Sequence, residues 1–324
     1  MLGENLTINN ANTAAINNAN SAAIAYNFQE TLATSQKVNW RIEDIIGGDK
    51  TLDFTKPFMP DSLARVSRLD FLNADEKLVL NQIKGHTYLQ IFGLVEEFIL
   101  PFVLDHVRPS LDEDDYRVRA FLQFASEEAK HIQLFKTFTK EFHKTFPVKC
   151  EVIGPPSSVA TAVLAHQPLA VALAILLIEW MSQIHYTDSI KDNQNLDAQF
   201  KSLLKNHWLE EAQHAKLDTI MVEALADGMT EAEIEKAVDE FLEIGGFLDE
   251  GLAQQAIFDA ESFERATGRV LSDGEREALI ALNHQANRWT YLGSGLVHPR
   301  FLATLEKLSP AQRQRIEEVA PVFG

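Results

Sequence analysis

The stretch His207-Trp208-Leu209-Glu210-Glu211-Ala212-Gln213-His214-Ala215-Lys216-Leu217-Asp218 decides how the rest of the chain reads. His207, Glu211 and His214 fall at i, i+4 and i+7. On a helix turning about 100° per residue, these three side chains lie within about 60° of arc. An acid and two imidazoles stacked on one face make a poor core. They make a good half of a metal site.

The neighbours of the trio say which way that face points. Phe200, Leu204, His207, Glu211, His214 and Met221 form one stripe, so the polar groups replace core residues instead of lying opposite them. A second helical pattern repeats the arrangement, with Phe121, Phe124, Glu128, His131, Phe135 and Phe138 at spacings of three and four. Both contain Glu-x-x-His, the i, i+3 pair with which helical bundles hold two metal ions. One such pair is weak, since about one chance match is expected among ten histidines. Two pairs inside apolar stripes are a stronger signal, because a buried carboxylate is costly unless paired or coordinated.

Glu179 adds a third carboxylate, after the apolar run Leu169–Ile178 and before Trp180 and Met181. A fourth is expected from the stretch around Glu96 and Glu97. Glu96 shares a face with Leu89, Phe92, Ile99, Leu100 and Val103, and Glu97 with His86, Gln90 and Arg108, so Glu96 is preferred. Four glutamates neutralise two divalent cations. Mixed oxygen and nitrogen donors suit iron or manganese better than a thiolate-bound zinc. Asp218, one turn past His214, is placed to accept a hydrogen bond from a ligand imidazole. Phe92, Phe124, Trp180 and Trp208 are candidates for a substrate pocket, although plain core packing is the simpler account of each. Tyr186 is a candidate radical or hydrogen-bonding tyrosine, with plain packing an equally ordinary account.

Outward from these motifs, the chain reads as all-α. Asn73 and Glu76 form a capping box for a helix running to about Arg108, with Pro101 expected to kink it. A second helix opens in the acidic turn Asp112–Asp115 and ends near Phe146. A third runs from about Ser157 to Lys191 with a break at Pro168, and a fourth from about Leu196 to Ala226. Thr230 and Glu233 cap a fifth, expected to weaken at Gly245-Gly246. Ser272 and Glu275 cap a sixth, and Ser309-Pro310 starts a short last helix. Four long helices over about 73–226, with a crossover and helical additions at both ends, fit a ferritin-like four-helix bundle. A globin-like or solenoid arrangement is the alternative. Residues 38–324 are read as one domain, preceded by an Asn/Ala-rich arm over 1–37 that repeats Ile-Asn-Asn-Ala-Asn at 8 and 16.

A net charge of −18 argues against nucleic acid or an anionic membrane as partner. The single cysteine, Cys150, allows no intramolecular disulfide and fits a reducing, cytoplasmic setting. No basic and then apolar leader opens the sequence, so a signal peptide is not expected. Leu169–Ile178 is about half a membrane span in length, which favours a buried core helix.

In this order and spacing, Glu96, Glu128-x-x-His131, Glu179 and His207-x-x-x-Glu211-x-x-His214 resemble the motifs of the arylamine N-oxygenases, of which p-aminobenzoate N-oxygenase is the representative. The resemblance covers roughly residues 70–300. It implies a non-haem di-iron protein of ferritin-like fold with these seven residues as ligands, manganese or a mixed pair being the alternatives to two irons. It further implies activation of O₂ as a peroxo species and oxidation of a small aromatic amine. The implied partners are O₂, the small-molecule substrate and an external electron donor such as a reductase, with a homodimer left open. His207 is the extra ligand that sets this pattern apart from the four-Glu, two-His pattern of ribonucleotide reductase small subunits, bacterioferritins and desaturases. The rival expectations are another ferritin-like di-metal oxidase, acting on acyl chains or generating a radical, and a non-enzymatic iron-binding protein.

Overall fold

The computed structural model describes residues 26–112 and 115–324; the Asn-rich repeat lies outside them. Among the described residues there is no strand, only an isolated bridge between Gly47 and Lys50. The helices used below are α1 (Phe28–Ser35), α2 (Ala74–Val107), α3 (Asp115–Thr145), α4 (Pro156–Leu164), α5 (Pro168–His185), α6 (Ala198–Ala226), α7 (Glu231–Thr267), α8 (Asp273–Arg288), α9 (Pro299–Leu308) and α10 (Pro310–Val319). The all-α expectation is met.

Local chemistry sets several boundaries. The Asn73 side chain accepts from the Glu76 backbone N–H at 3.0 Å, and Glu76 accepts from that of Asn73 at 2.8 Å, closing the capping box. Equivalent boxes open α7 at Thr230 and α8 at Ser272. Asp197 caps α6, and Pro310 occupies the first turn of α10. The third helical stretch divides at Pro168, as expected, into α4 and α5, and α5 runs on as a π-helical turn over Tyr186–Ile190. Two expectations need correcting. α7 passes unbroken through Gly245-Gly246. Buried Phe241, Ile244 and Leu252 anchor the flanking turns, and that packing outweighs a glycine cost of about 1 kcal/mol each. The end of the stretch expected to be an arm is a helix, α1, capped by Asn27 and packed on α3 and α6.

Side-chain pairs give the helix directions. Between α2 and α3 they run His86–Phe142, Gln90–Thr139, Glu97–Lys136 and His106–Phe121, so the two helices are antiparallel. Glu127 meets His214 and His131 meets Glu210, so α3 and α6 are antiparallel as well. Glu179 meets Glu211 and Gln183 meets Trp208, which sets α5 antiparallel to α6. α3 and α5 therefore run the same way, and the segment containing α4 returns the chain along the length of the assembly. α7 packs on both α2 and α5.

Phe121, Phe124, Phe135, Phe138, Phe142 and Phe200 are fully buried, as the stripes on α3 and α6 require. The lead-in before α2 is pinned by Asn81, whose side chain accepts from the N–H groups of Phe58 (2.8 Å) and Met59 (3.0 Å) and donates to the Met59 carbonyl (2.7 Å). Two helical segments, Ala74–Ser110 and Pro168–Ile190, are long and apolar enough by composition to cross a membrane, more than the ten-residue run suggested. In Pro168–Ile190, 89% of the apolar window is covered by the protein's own helices.

Candidate metal centre

α2, α3, α5 and α6 each place acidic or imidazole side chains at one level of the interior. All seven sequence-predicted residues are there, none more than 3% exposed. On α2 the two neighbouring glutamates point in different directions. Glu96 is buried against His207, whereas Glu97 faces outward and pairs with Lys136 at 3.2 Å.

Two groups of donors form, Glu96–His131–His207–Glu211 and Glu128–His131–Glu211–His214, each with ligand atoms within 4.8 Å of one another. Glu211 joins them. Its Oε1 lies 2.9 Å from His207 Nε2 and 3.0 Å from His131 Nδ1, while its Oε2 lies 3.2 Å from His214 Nδ1. Glu96 Oε1 lies 3.0 Å from His207 Nε2, and Glu128 Oε1 lies 2.8 Å from His214 Nδ1. Glu179 reaches in from α5 and hydrogen-bonds the Glu211 carboxylate.

The imidazoles are held from behind. His131 Nε2 lies 2.7 Å from Glu210 Oε2, and His214 Nε2 lies 2.9 Å from Glu127 Oε2. Each Nε2–H donating to its carboxylate leaves a lone pair on the Nδ1 that faces the cluster. Glu127 is fixed in turn by the Ser35 hydroxyl (2.6 Å) and by Gln123 (2.9 Å), and Glu210 by Lys130. Sequence reasoning passed over Glu127 and Glu210. The signal was present, since both motifs are Glu-Glu-x-x-His. The role expected of Asp218 is corrected: His214 turns across to α3 instead, and both Asp218 oxygens are buried without a hydrogen-bond partner. One turn along the same helix axis is the wrong direction for an Nε2 that points across the helix seam.

Electrostatics mark the cluster as one that wants cations. Burial, and then the charge of Glu128, pushes the Glu96 carboxyl up to about 8. Burial and Glu211 raise Glu179 well above the carboxylate range. Burial opposes ionisation of Glu211 too, but His207 and His214 overcome it and hold that carboxyl well below its usual value. His131 and His214 are raised well above the ordinary imidazole value against the penalty of burial, through Glu210 and Glu211 for the first and Glu211 and Glu127 for the second. Glu96 Oε2, Glu128 Oε2 and Glu179 Oε2 have no hydrogen-bond partner, and Glu128 Oε1, Glu211 Oε1 and His131 Nδ1 meet only other members of the cluster, at ion-pair distance. Buried donor atoms left open in two adjoining groups fit two metal ions, since unpaired buried acceptors are otherwise expensive. The donor set is compatible with a di-metal site and leaves the element open.

Aromatic rings close the surroundings. Phe124 stacks on His214 at 3.9 Å, Phe92 and Phe135 meet His207 edge-on at 5.3 and 5.2 Å, and Trp40 lies parallel to His131 at 6.0 Å. Of the four aromatics considered as pocket residues, Phe92 alone lines a cavity of about 840 Å³ between α2, α5 and α7. Trp180 stacks instead on His298 and Trp208 on Tyr186, which also gives Tyr186 a packing role. Cys150 is buried, and burial pushes its thiol up to about 12, so it is no nucleophile. No protein-family model matches the chain, and no curated protein matches it.

Proposed function

We propose that the protein is an O₂-dependent di-iron oxidoreductase of ferritin-like fold that N-oxygenates an aromatic amine. The observation that carries the di-metal reading is Glu211, whose two oxygens face two different donor groups. The antiparallel α2/α3 and α5/α6 pairs, with a crossover between them, support the ferritin-like reading. His207 supports the finer one, because it stands within the first group beside Glu96 and His131 and supplies the third imidazole of the motif.

In this reading Glu96, Glu128, His131, Glu179, His207, Glu211 and His214 hold two irons. When bound, the irons supply the electrons for reducing O₂ and the oxidising power directed at the amine. The chain supplies the rest. Glu127 and Glu210 fix the tautomer and ring angle of His214 and His131, and Ser35 and Lys130 fix those glutamates. The Phe92, Phe124 and Phe135 rings exclude water from the donors, which strengthens every charge interaction there. An external reductase would restore the reduced state between turnovers.

The test is turnover. Iron-loaded, chemically reduced protein is mixed with O₂ and an aromatic amine, and products are read by mass spectrometry. Hydroxylamine, nitroso or nitro products are expected. Oxidation confined to carbon atoms of an alkyl or acyl chain would favour the second reading, an acyl-directed oxygenase, for which the apolar cavity is the supporting observation.

A further inference from the structure

The cavity of about 840 Å³ between α2, α5 and α7 has a direction. Its exposed lining residues, Gly154, Ser158, Gly246, Phe247, Glu250 and Gln254, mark a mouth between α7 and the segment that leads into α4. Its buried lining includes Val95, Ala174, Leu177 and Met181. At the inner end Phe92 lines the cavity and also meets His207 edge-on at 5.3 Å. The space therefore leads from the surface to one aromatic ring away from the donor cluster. The volume lies in the range of small-molecule sites and well beyond a lone aniline ring.

Two features say what fills it. The single charged side chain in the lining is Glu250, at the mouth, so a carboxylate carried inside would lose its hydration with no cation to replace it. The second feature is Gly245-Gly246, in the middle of α7, where glycine is the poorest helix former after proline. A Cβ at either position would meet nothing within 4 Å. No neighbouring side chain demands these glycines, and both line the cavity. Walls left without contact atoms forfeit dispersion attraction, which an apolar occupant restores.

We propose that this cavity binds the uncharged, elongated apolar body of the substrate, entering past Gly246 and ending at Phe92. On the N-oxygenation reading the substrate is then an aromatic amine with a long apolar substituent, not a small anionic aminobenzoate. What happens at the inner end rests on the di-metal reading. Occupancy of the cavity does not.

Binding of N-phenyl-1-naphthylamine, a neutral arylamine that fluoresces in apolar surroundings, is measured on the purified full chain without reductant. Saturable one-to-one binding is expected. 4-Decylaniline should displace the probe and 4-aminobenzoate should not. Gly245→Leu and Gly246→Leu, which add bulk to the cavity lining, should each weaken binding by at least about tenfold. Their melting temperatures should be unchanged or higher, because leucine is the better helix former. Unaltered binding in both folded variants, or equal displacement by 4-aminobenzoate, would overturn the assignment. If 4-decylaniline binds as expected but is not oxidised by the iron-loaded protein, the cavity assignment stands and the N-oxygenation reading falls.

Discussion

His131 on α3 meets Glu210 on α6 at 2.7 Å, and the pairing is reciprocated, since His214 on α6 meets Glu127 on α3 at 2.9 Å. Each Glu-Glu-x-x-His motif thus places one glutamate in the donor cluster and uses the other to support the histidine of the opposite helix. The two helices cannot be positioned independently, and the seam between them is where donor geometry is set.

Glu210→Gln and Glu127→Gln should therefore weaken metal binding without removing a donor. The expected loss is about 10–100-fold in affinity, the usual effect of removing the hydrogen-bond partner of a ligand imidazole. Competition with a chelator of known affinity measures it. Ser35→Ala, which loosens Glu127 from α1, should have a smaller effect of the same sign. Unaltered affinity in both glutamate variants would show that the imidazoles orient themselves.

Glu96 and Glu97 provide an internal control. Glu96→Ala should lose metal from the Glu96–His131–His207–Glu211 group and retain it in the other, because Glu128 and His214 remain. Glu97→Ala removes only a largely exposed pair with Lys136 and should keep the full complement, at a stability cost below about 1 kcal/mol. Metal-to-protein ratios of the two variants, measured side by side, check this; loss from Glu97→Ala alone would reverse the assignment on α2.

Removing metal should make stability depend on pH with a definite sign. His131, His207, His214, Glu96 and Glu179 all have folded-state values raised above their ordinary ones. A raised group stabilises the fold below its unfolded value, and that contribution is lost as pH rises through the folded value. For Glu96 the loss runs from 4.5 to about 8; for the histidines it begins at 6.5 and continues upward. Glu211, held low, acts in the opposite sense, its contribution being lost as pH falls below 4.5. The metal-free protein should melt at progressively lower temperature from about pH 6 to about pH 9. Metal should flatten or reverse that slope, since bound cations stabilise deprotonated donors. A metal-free melting temperature that rises over this range would contradict the assigned shifts.

The lead-in before α2 should be as sensitive as the bundle itself. A Cβ on Gly85 would fall 2.7 Å from Phe58 Cβ, and Phe58 stacks on Phe200 at 5.1 Å. Gly85→Ala gains helix propensity yet should destabilise by about 1–3 kcal/mol through overpacking. Phe200→Ala should cost about 3–5 kcal/mol. Chemical denaturation measures both, and a stabilised Gly85→Ala would mean that the lead-in is loosely docked.

Much of this was legible because the motifs lie inside stripes of helical period. The i, i+3 and i, i+4 spacings on α3 and α6 specify both the secondary structure and the face that turns inward, so Glu128, His131, His207, Glu211 and His214 could be placed together from sequence. Glu96 was separable from Glu97 by the same reasoning. What could not be read was contact across elements. Whether His214 bonds to Asp218 on its own helix or to Glu127 on another depends on the α3–α6 seam, which no local pattern encodes. α1 is two turns long and owes its stability to docking, so propensity alone could not reveal it. The passage of α7 through Gly245-Gly246 likewise depends on neighbours that anchor its flanks.

The central claim is that Glu211 joins two metal positions in one buried cluster. Elemental analysis of the purified, iron-reconstituted full chain, alongside Glu211→Ala verified as folded by circular dichroism, tests it most directly. Two tightly held ions per chain are predicted for the parent, with both positions lost or severely weakened in Glu211→Ala. A parent chain that binds no iron or manganese, or a Glu211→Ala variant that holds two ions as tightly as the parent, would contradict it.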